Sequence, residues 1–146
     1  MLSKRIFVNL SLIFMIAILF CPATAQMRRL HMFKAVKIPF KLKHKDTVLK
    51  KGTYEFEFLR LKAAPLHFLR IRKGGKKLCL IQGEPWTYST STIGSDQLHD
   101  PNVPEDPRMR IKKIPKEKIV YIIFETGKKA RDYPFIRLRF KMEYEE

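Results

Sequence analysis

The sequence predicts an all-β fold: a small antiparallel β-sandwich or flattened barrel of about six to eight strands, preceded by a signal-peptide helix. Three observations carry this reading. Apolar and polar residues alternate along most of the chain after residue 25. All six glycines, at 52, 74, 75, 83, 94 and 127, fall in expected turns or loops, and none interrupts a strand. No stretch after the leader shows the 3.6-residue period of an amphipathic helix.

The elements follow in order. Val36, Ile38, Phe40 and Leu42 alternate with Lys37, Lys41 and Lys43, the period-two pattern of a strand with one face in the core. Pro39 removes a ladder donor, which places that strand at an edge or a bulge. Lys50-Lys51-Gly52 turns the chain. Tyr54, Phe56 and Phe58 then point one way, and Thr53, Glu55 and Glu57 the other, towards water. Ala63-Ala64-Pro65 separates this strand from His67-Phe68-Leu69-Arg70-Ile71-Arg72. Lys73-Gly74-Gly75-Lys76 is a tight hairpin, because two successive glycines supply the positive φ angles of a two-residue turn. Lys77 to Gln82 returns, and Gly83-Glu84-Pro85 breaks the strand.

Residues 84–117 hold five prolines and read as one long Pro-rich loop, with Met109-Arg110-Ile111 as a short strand inside it. Ile119 to Phe124 is nearly all apolar, as a strand covered on both faces would be. In the last strand Ile136, Leu138, Phe140 and Met142 face inward, and Arg137, Arg139, Lys141 and Glu143 face water.

The leader sets the compartment. Lys4 and Arg5 precede an apolar run from Leu10 to Phe20, and Pro22 and Ala23-Thr24-Ala25 follow it. This is the charged start, apolar middle and small-residue cleavage site of a secretory signal peptide. The run is shorter than the roughly 20 residues of a membrane span, although an uncleaved anchor is the alternative. Phe20 before Cys21 argues against a lipidated cysteine. Residues 1–25 are thus a signal peptide, and residues 26–146 a single domain with one modest core, exported to the periplasm or secreted.

The chain carries 30 basic and 14 acidic residues. Lys4 and Arg5 leave with the leader, so the mature chain keeps 28 basic against 14 acidic residues, a formal charge of +14. Such a charge favours anionic partners, namely lipid head groups, acidic glycans or nucleic acid, and export makes nucleic acid the least favoured of these. The same charge also serves solubility. After cleavage only Cys79 remains, so no intramolecular disulfide forms. Its neighbours Leu78, Leu80 and Ile81 predict a buried, inert thiol.

Ile38-Pro39-Phe40, Leu49-Lys50-Lys51-Gly52-Thr53-Tyr54 and Leu69-Arg70-Ile71-Arg72 resemble the pattern of small exported uncharacterised bacterial β-proteins. Those proteins have a Pro-Phe strand, a Leu-Pro-Ala-Gly-Thr-Tyr turn into the next strand, and a Leu-x-Ile strand after it. The resemblance covers residues 35–82 and implies bacterial origin, export and an all-β fold. It implies no activity, and Lys50-Lys51 departs from the Pro-Ala of that pattern.

The chemistry-bearing residues point away from catalysis. His31, His44, His67 and His99 lack metal-ligand spacing, and no nucleophile elbow or phosphate-binding loop is present. No cofactor or metal is expected. Asp96, Asp100, Glu105 and Asp106 match no calcium loop and suit turns beside proline. Two features remain. Arg70, Arg72, Lys73, Lys76 and Lys77 crowd the hairpin tip and form a candidate anion site, although lysines also protect hairpins from aggregation. Trp86 and Tyr88 could form a ligand platform, or Trp86 could plug the end of the core.

The expected function is therefore that of a noncatalytic exported β-domain binding an anionic envelope component or a partner protein. One alternative is a small apolar ligand held inside the barrel. The other is an exported hydrolase built around His99 on the long loop.

Overall fold

The computed structural model describes residues 26–86, 103–129 and 136–146, which form ten strands in two antiparallel sheets. The signal peptide lies outside the described residues, as do Tyr88, Gly94, Asp96, His99 and Asp100. The strands are β1 (Met27–Ile38), β2 (Lys41–His44), β3 (Thr47–Leu49), β4 (Gly52–Leu61), β5 (His67–Lys73), β6 (Lys76–Gln82), β7 (Glu84–Pro85), β8 (Arg108–Ile114), β9 (Ile119–Glu125) and β10 (Arg137–Glu145). The first sheet has the order β1-β4-β5-β6. The second has the order β3-β2-β10-β9-β8, with β7 also pairing β10. The all-β sandwich expected from the sequence is the fold, with ten strands rather than six to eight.

Alternation builds the core. Tyr54, Phe56 and Phe58 of β4, and Leu69 and Ile71 of β5, meet Val120, Ile122 and Phe124 of β9 and Leu138, Phe140 and Met142 of β10. Phe58 stacks on Phe124 across the sandwich at 4.1 Å between ring centroids, and Phe140 lies 5.4 Å from Phe58. Such pairs add stabilisation of about 1 kcal/mol beyond area burial. Cys79 is buried among these side chains, as its apolar neighbours suggested.

Three readings of the sequence change, and a stretch with no assignment becomes strand. The stretch 36–42 is not one strand: β1 ends at Ile38, Pro39 and Phe40 turn the corner, and β2 joins the other sheet. Phe40 stays in the core at that corner, 5.4 Å from Tyr144. Residues 27–35, which lack clean alternation, extend β1 because two register shifts against β4 absorb their extra residues. The expected short strand at 109–111 runs over 108–114, so the loop between β7 and β8 is shorter than 84–117. Lastly, Glu57 and Arg137, expected in water, are buried at 2% and 5% exposure.

Gly83 explains how the chain changes sheets. Its N–H donates to the His67 carbonyl at 2.9 Å, while a Cβ there would lie 2.4 Å from Phe140 Cε1. Only a residue without a side chain passes so close to that ring. Glu84 and Pro85 then pair with β10 in the second sheet.

A candidate anion-binding end of the first sheet

The β5–β6 hairpin has the predicted turn. Gly74 and Gly75 take φ of 55° and 78°, both in the left-handed region that a type I′ turn requires. The five cations expected there as one group separate into two. Glu57 on β4 lies directly opposite Arg70 on β5, and Glu55 opposite Arg72. Arg70 therefore donates to Glu57 Oε2 at 3.1 Å, and Arg29 of β1 donates to Glu57 Oε1 at 2.7 Å. Arg72 donates to the Gly75 carbonyl at 2.7 Å and lies 3.9 Å from Glu57. Arg70 is thus taken up by a buried carboxylate, and Arg72 is tied to the turn carbonyl and lies near the same carboxylate.

Lys73, Lys76 and Lys77 stay exposed at the tip. The register brings further lysines to the same end. Ile38 of β1 pairs Gly52 of β4, and Lys37 pairs Thr53. The Lys50-Lys51 turn therefore lies between Lys37 and the hairpin. Tyr54 Oη donates to the Lys50 carbonyl, which fixes that turn. Lys73 Nζ sits 5.2 Å from the centre of the Tyr54 ring, and a Cβ on Gly52 would come 3.4 Å from it.

Lys37, Lys50, Lys51, Lys73, Lys76 and Lys77 are all exposed. None of the six pairs with a carboxylate among the described residues. Adjacent strands are about 4.8 Å apart, so the row from β1 to β6 spans about 15 Å. Charges that close reinforce one another, because the screening length in dilute salt is about 10 Å. The row suits phosphate or sulfate groups presented on a surface. The sequence shows Lys73, Lys76 and Lys77 as a group. Lys37, Lys50 and Lys51 join them through strand register, which no local motif announces.

The second sheet has its own carboxylate cluster. Glu125 of β9 is fully buried and lies opposite Arg108 of β8 and Arg137 of β10. Arg108 Nε and Arg137 Nε each donate to it at 2.7 Å, and Arg110 approaches at 3.3 Å. Burial pulls the Arg137 guanidinium down to about 10. Trp86 is half-buried and stands outside the core cluster, and Tyr88, its companion in the expected platform, lies outside the described residues. The Trp86 backbone N–H donates to the Arg137 carbonyl, and the Trp86 ring lies 5.2 Å from the Arg137 guanidinium. Trp86 therefore packs against Arg137, the buried cation of that cluster.

In both clusters the carboxylate oxygens are taken up by arginines. His67 is buried on the inward side of β5, and burial, followed by the Arg60 charge, lowers its pKa below the usual 6.5. Burial pushes the Cys79 thiol up to about 11, which keeps it protonated and unreactive. Among the described residues, no group of three or more His, Cys, Asp or Glu side chains could hold a metal ion. No helix among them is long and apolar enough to cross a membrane.

Comparison with protein-family models, with curated proteins and with solved structures finds no match to this chain.

Proposed function

We propose that this chain is an exported, noncatalytic bacterial β-domain, periplasmic or secreted, that binds an anionic component of the cell envelope. The carrying observation is the row Lys37, Lys50, Lys51, Lys73, Lys76 and Lys77, exposed and without carboxylate partners among the described residues. The leader signature and the +14 charge of the mature chain support the compartment and the sign of the ligand. The resemblance of residues 35–82 to small exported β-proteins supports the same reading.

Lysine suits this task because it is a compact charge on a flexible stem, which follows mobile headgroups better than a rigid fork does. The row's binding strength should fall steeply with salt. The apolar-ligand alternative is disfavoured by the interior, where Phe40, Phe56, Phe58 and Phe124 are all buried in the core. The hydrolase alternative turns on His99, which lies outside the described residues.

Sedimentation of the full chain with vesicles tests the proposal. Vesicles rich in anionic lipid should carry the protein down at low salt, and high salt should release it. Neutral vesicles should leave it in solution. The double substitution Lys51→Glu and Lys76→Glu should weaken binding by about tenfold or more, since each charge near an anionic surface contributes about 1 kcal/mol. Equal binding to neutral vesicles, or no effect of the double substitution, would overturn the reading.

A further inference from the structure

The sheet edges carry a second inference, independent of the lysine row. Within the first sheet, a strand with basic residues outward pairs with one that has acidic residues outward. β5 presents Arg70 and Arg72 outward and Leu69 and Ile71 inward. β4 answers with Glu57 and Glu55 outward, and Phe58 and Phe56 inward, each directly opposite its counterpart. Charge and hydrophobicity match along both faces at once.

β8 repeats the pattern of β5. Arg108, Arg110 and Lys112 lie on the outward face, on the same side as Glu125, Ile123 and Tyr121 of β9. Met109 and Ile111 alternate with them, half-buried against the core. On one side β8 pairs with β9, whose Glu125 faces Arg108. Its other side is the edge of the sheet among the described residues. Arg108 and Arg110 side chains are 43% and 47% exposed, and Lys112 is exposed with no carboxylate partner among the described residues. A basic edge repels a second copy of itself. It attracts a strand of opposite charge pattern.

We infer that the edge of β8 left unpaired among the described residues is a docking site for an extended segment of a partner protein in which acidic residues alternate with apolar ones. The segment would add as a further strand of the sheet, with main-chain hydrogen bonds to β8. Its acidic side chains would fall beside Arg108, Arg110 and Lys112 at the period of two residues that strands share, about 6.8 Å. Its apolar side chains would cover Met109 and Ile111. The pairing of β4 with β5 is the same arrangement inside the chain.

The test uses a labelled peptide of about eight residues alternating Glu with Val, read by fluorescence anisotropy against the full chain. A peptide of identical composition with its glutamates contiguous should bind at least about tenfold more weakly, because it matches the charge but not the register. Methylating the peptide's backbone nitrogens should abolish binding. Lys112→Glu should weaken binding by about tenfold and strengthen binding of a Lys/Val alternating peptide, with the far-ultraviolet circular dichroism unchanged. Lys76→Glu, at the lysine row, should leave binding as it was. Equal binding of the two acidic peptides, retention by the methylated one, indifference to Lys112→Glu, or loss on Lys76→Glu would each overturn the inference. The last result would move the acidic ligand to the lysine row and leave the vesicle experiment to judge that row separately.

Discussion

Replacing Glu125 by Gln should be among the most damaging single changes in this fold. The carboxylate is fully buried, and the Arg137 side chain beside it is only 2% exposed. The amide keeps the shape but removes the charge. Arg137 then stays buried having lost its ion pair with Glu125, and Arg108 and Arg110 lose theirs. Breaking a buried pair from one side costs about 3–5 kcal/mol, because the remaining charge is uncompensated. Arg108 and Arg110 recover solvation at the surface, so most of the loss comes from Arg137. Glu57→Gln is the internal comparison. It is as deeply buried, but its partners Arg29, Arg70 and Arg72 are 54%, 29% and 27% exposed and can turn to water. Its loss should be smaller, about 1–3 kcal/mol. Urea unfolding followed by circular dichroism measures both. For a domain of this size, Glu125→Gln should also lower Tm by on the order of 10 °C or more. The double substitution Glu125→Leu with Arg137→Leu should be less damaging than Glu125→Leu alone, since apolar pairs replace buried ion pairs at small cost. A loss under about 1 kcal/mol for Glu125→Gln, or a larger loss for Glu57→Gln, would refute this account of the two clusters.

Three further outcomes follow from single groups. Stability should fall as the pH drops below about 6.5, because His67, His31 and His44 all have lowered pKa values in the fold. Between the folded values and 6.5 the unfolded chain binds more protons, so the stabilisation is complete above 6.5 and lost below it. Urea midpoints across that range should show the slope, and His67→Leu should make it shallower. Cys79 should resist a thiol reagent at pH 8 in the native protein and react at once in urea, since its folded pKa is about 11; fast native labelling would contradict its burial. Gly83→Ala should cost about 1–3 kcal/mol in urea unfolding, because the new Cβ meets Phe140 at 2.4 Å.

The alternation of β4, β5 and β10 was legible from residue order alone, because a period of two fixes which side chains can share a face, whereas β9 was legible only as an apolar run. The Gly74-Gly75 turn was legible for the same kind of reason, since few other residues accept two successive positive φ angles. β1 was not legible over 27–35, because bulges hide the period. The split at Pro39 was not legible either, because the apolar spacing runs through the corner although the chain changes sheets.

The candidate sites divide in the same way. The sequence by itself determined the excess of positive charge, the strand character and the apolar neighbours of Cys79. Each depends on composition or on neighbours a few residues apart. Only the tertiary structure decided which charges remain available. Arg70 and Glu57 stand 13 positions apart in the chain, and Arg137 and Glu125 stand 12 apart, yet strand register sets each pair face to face. Register likewise gathers Lys37, Lys50 and Lys51 beside Lys73. A cation is neutralised or left open by what lies on the next strand, and that neighbour is fixed by pairing rather than by sequence distance.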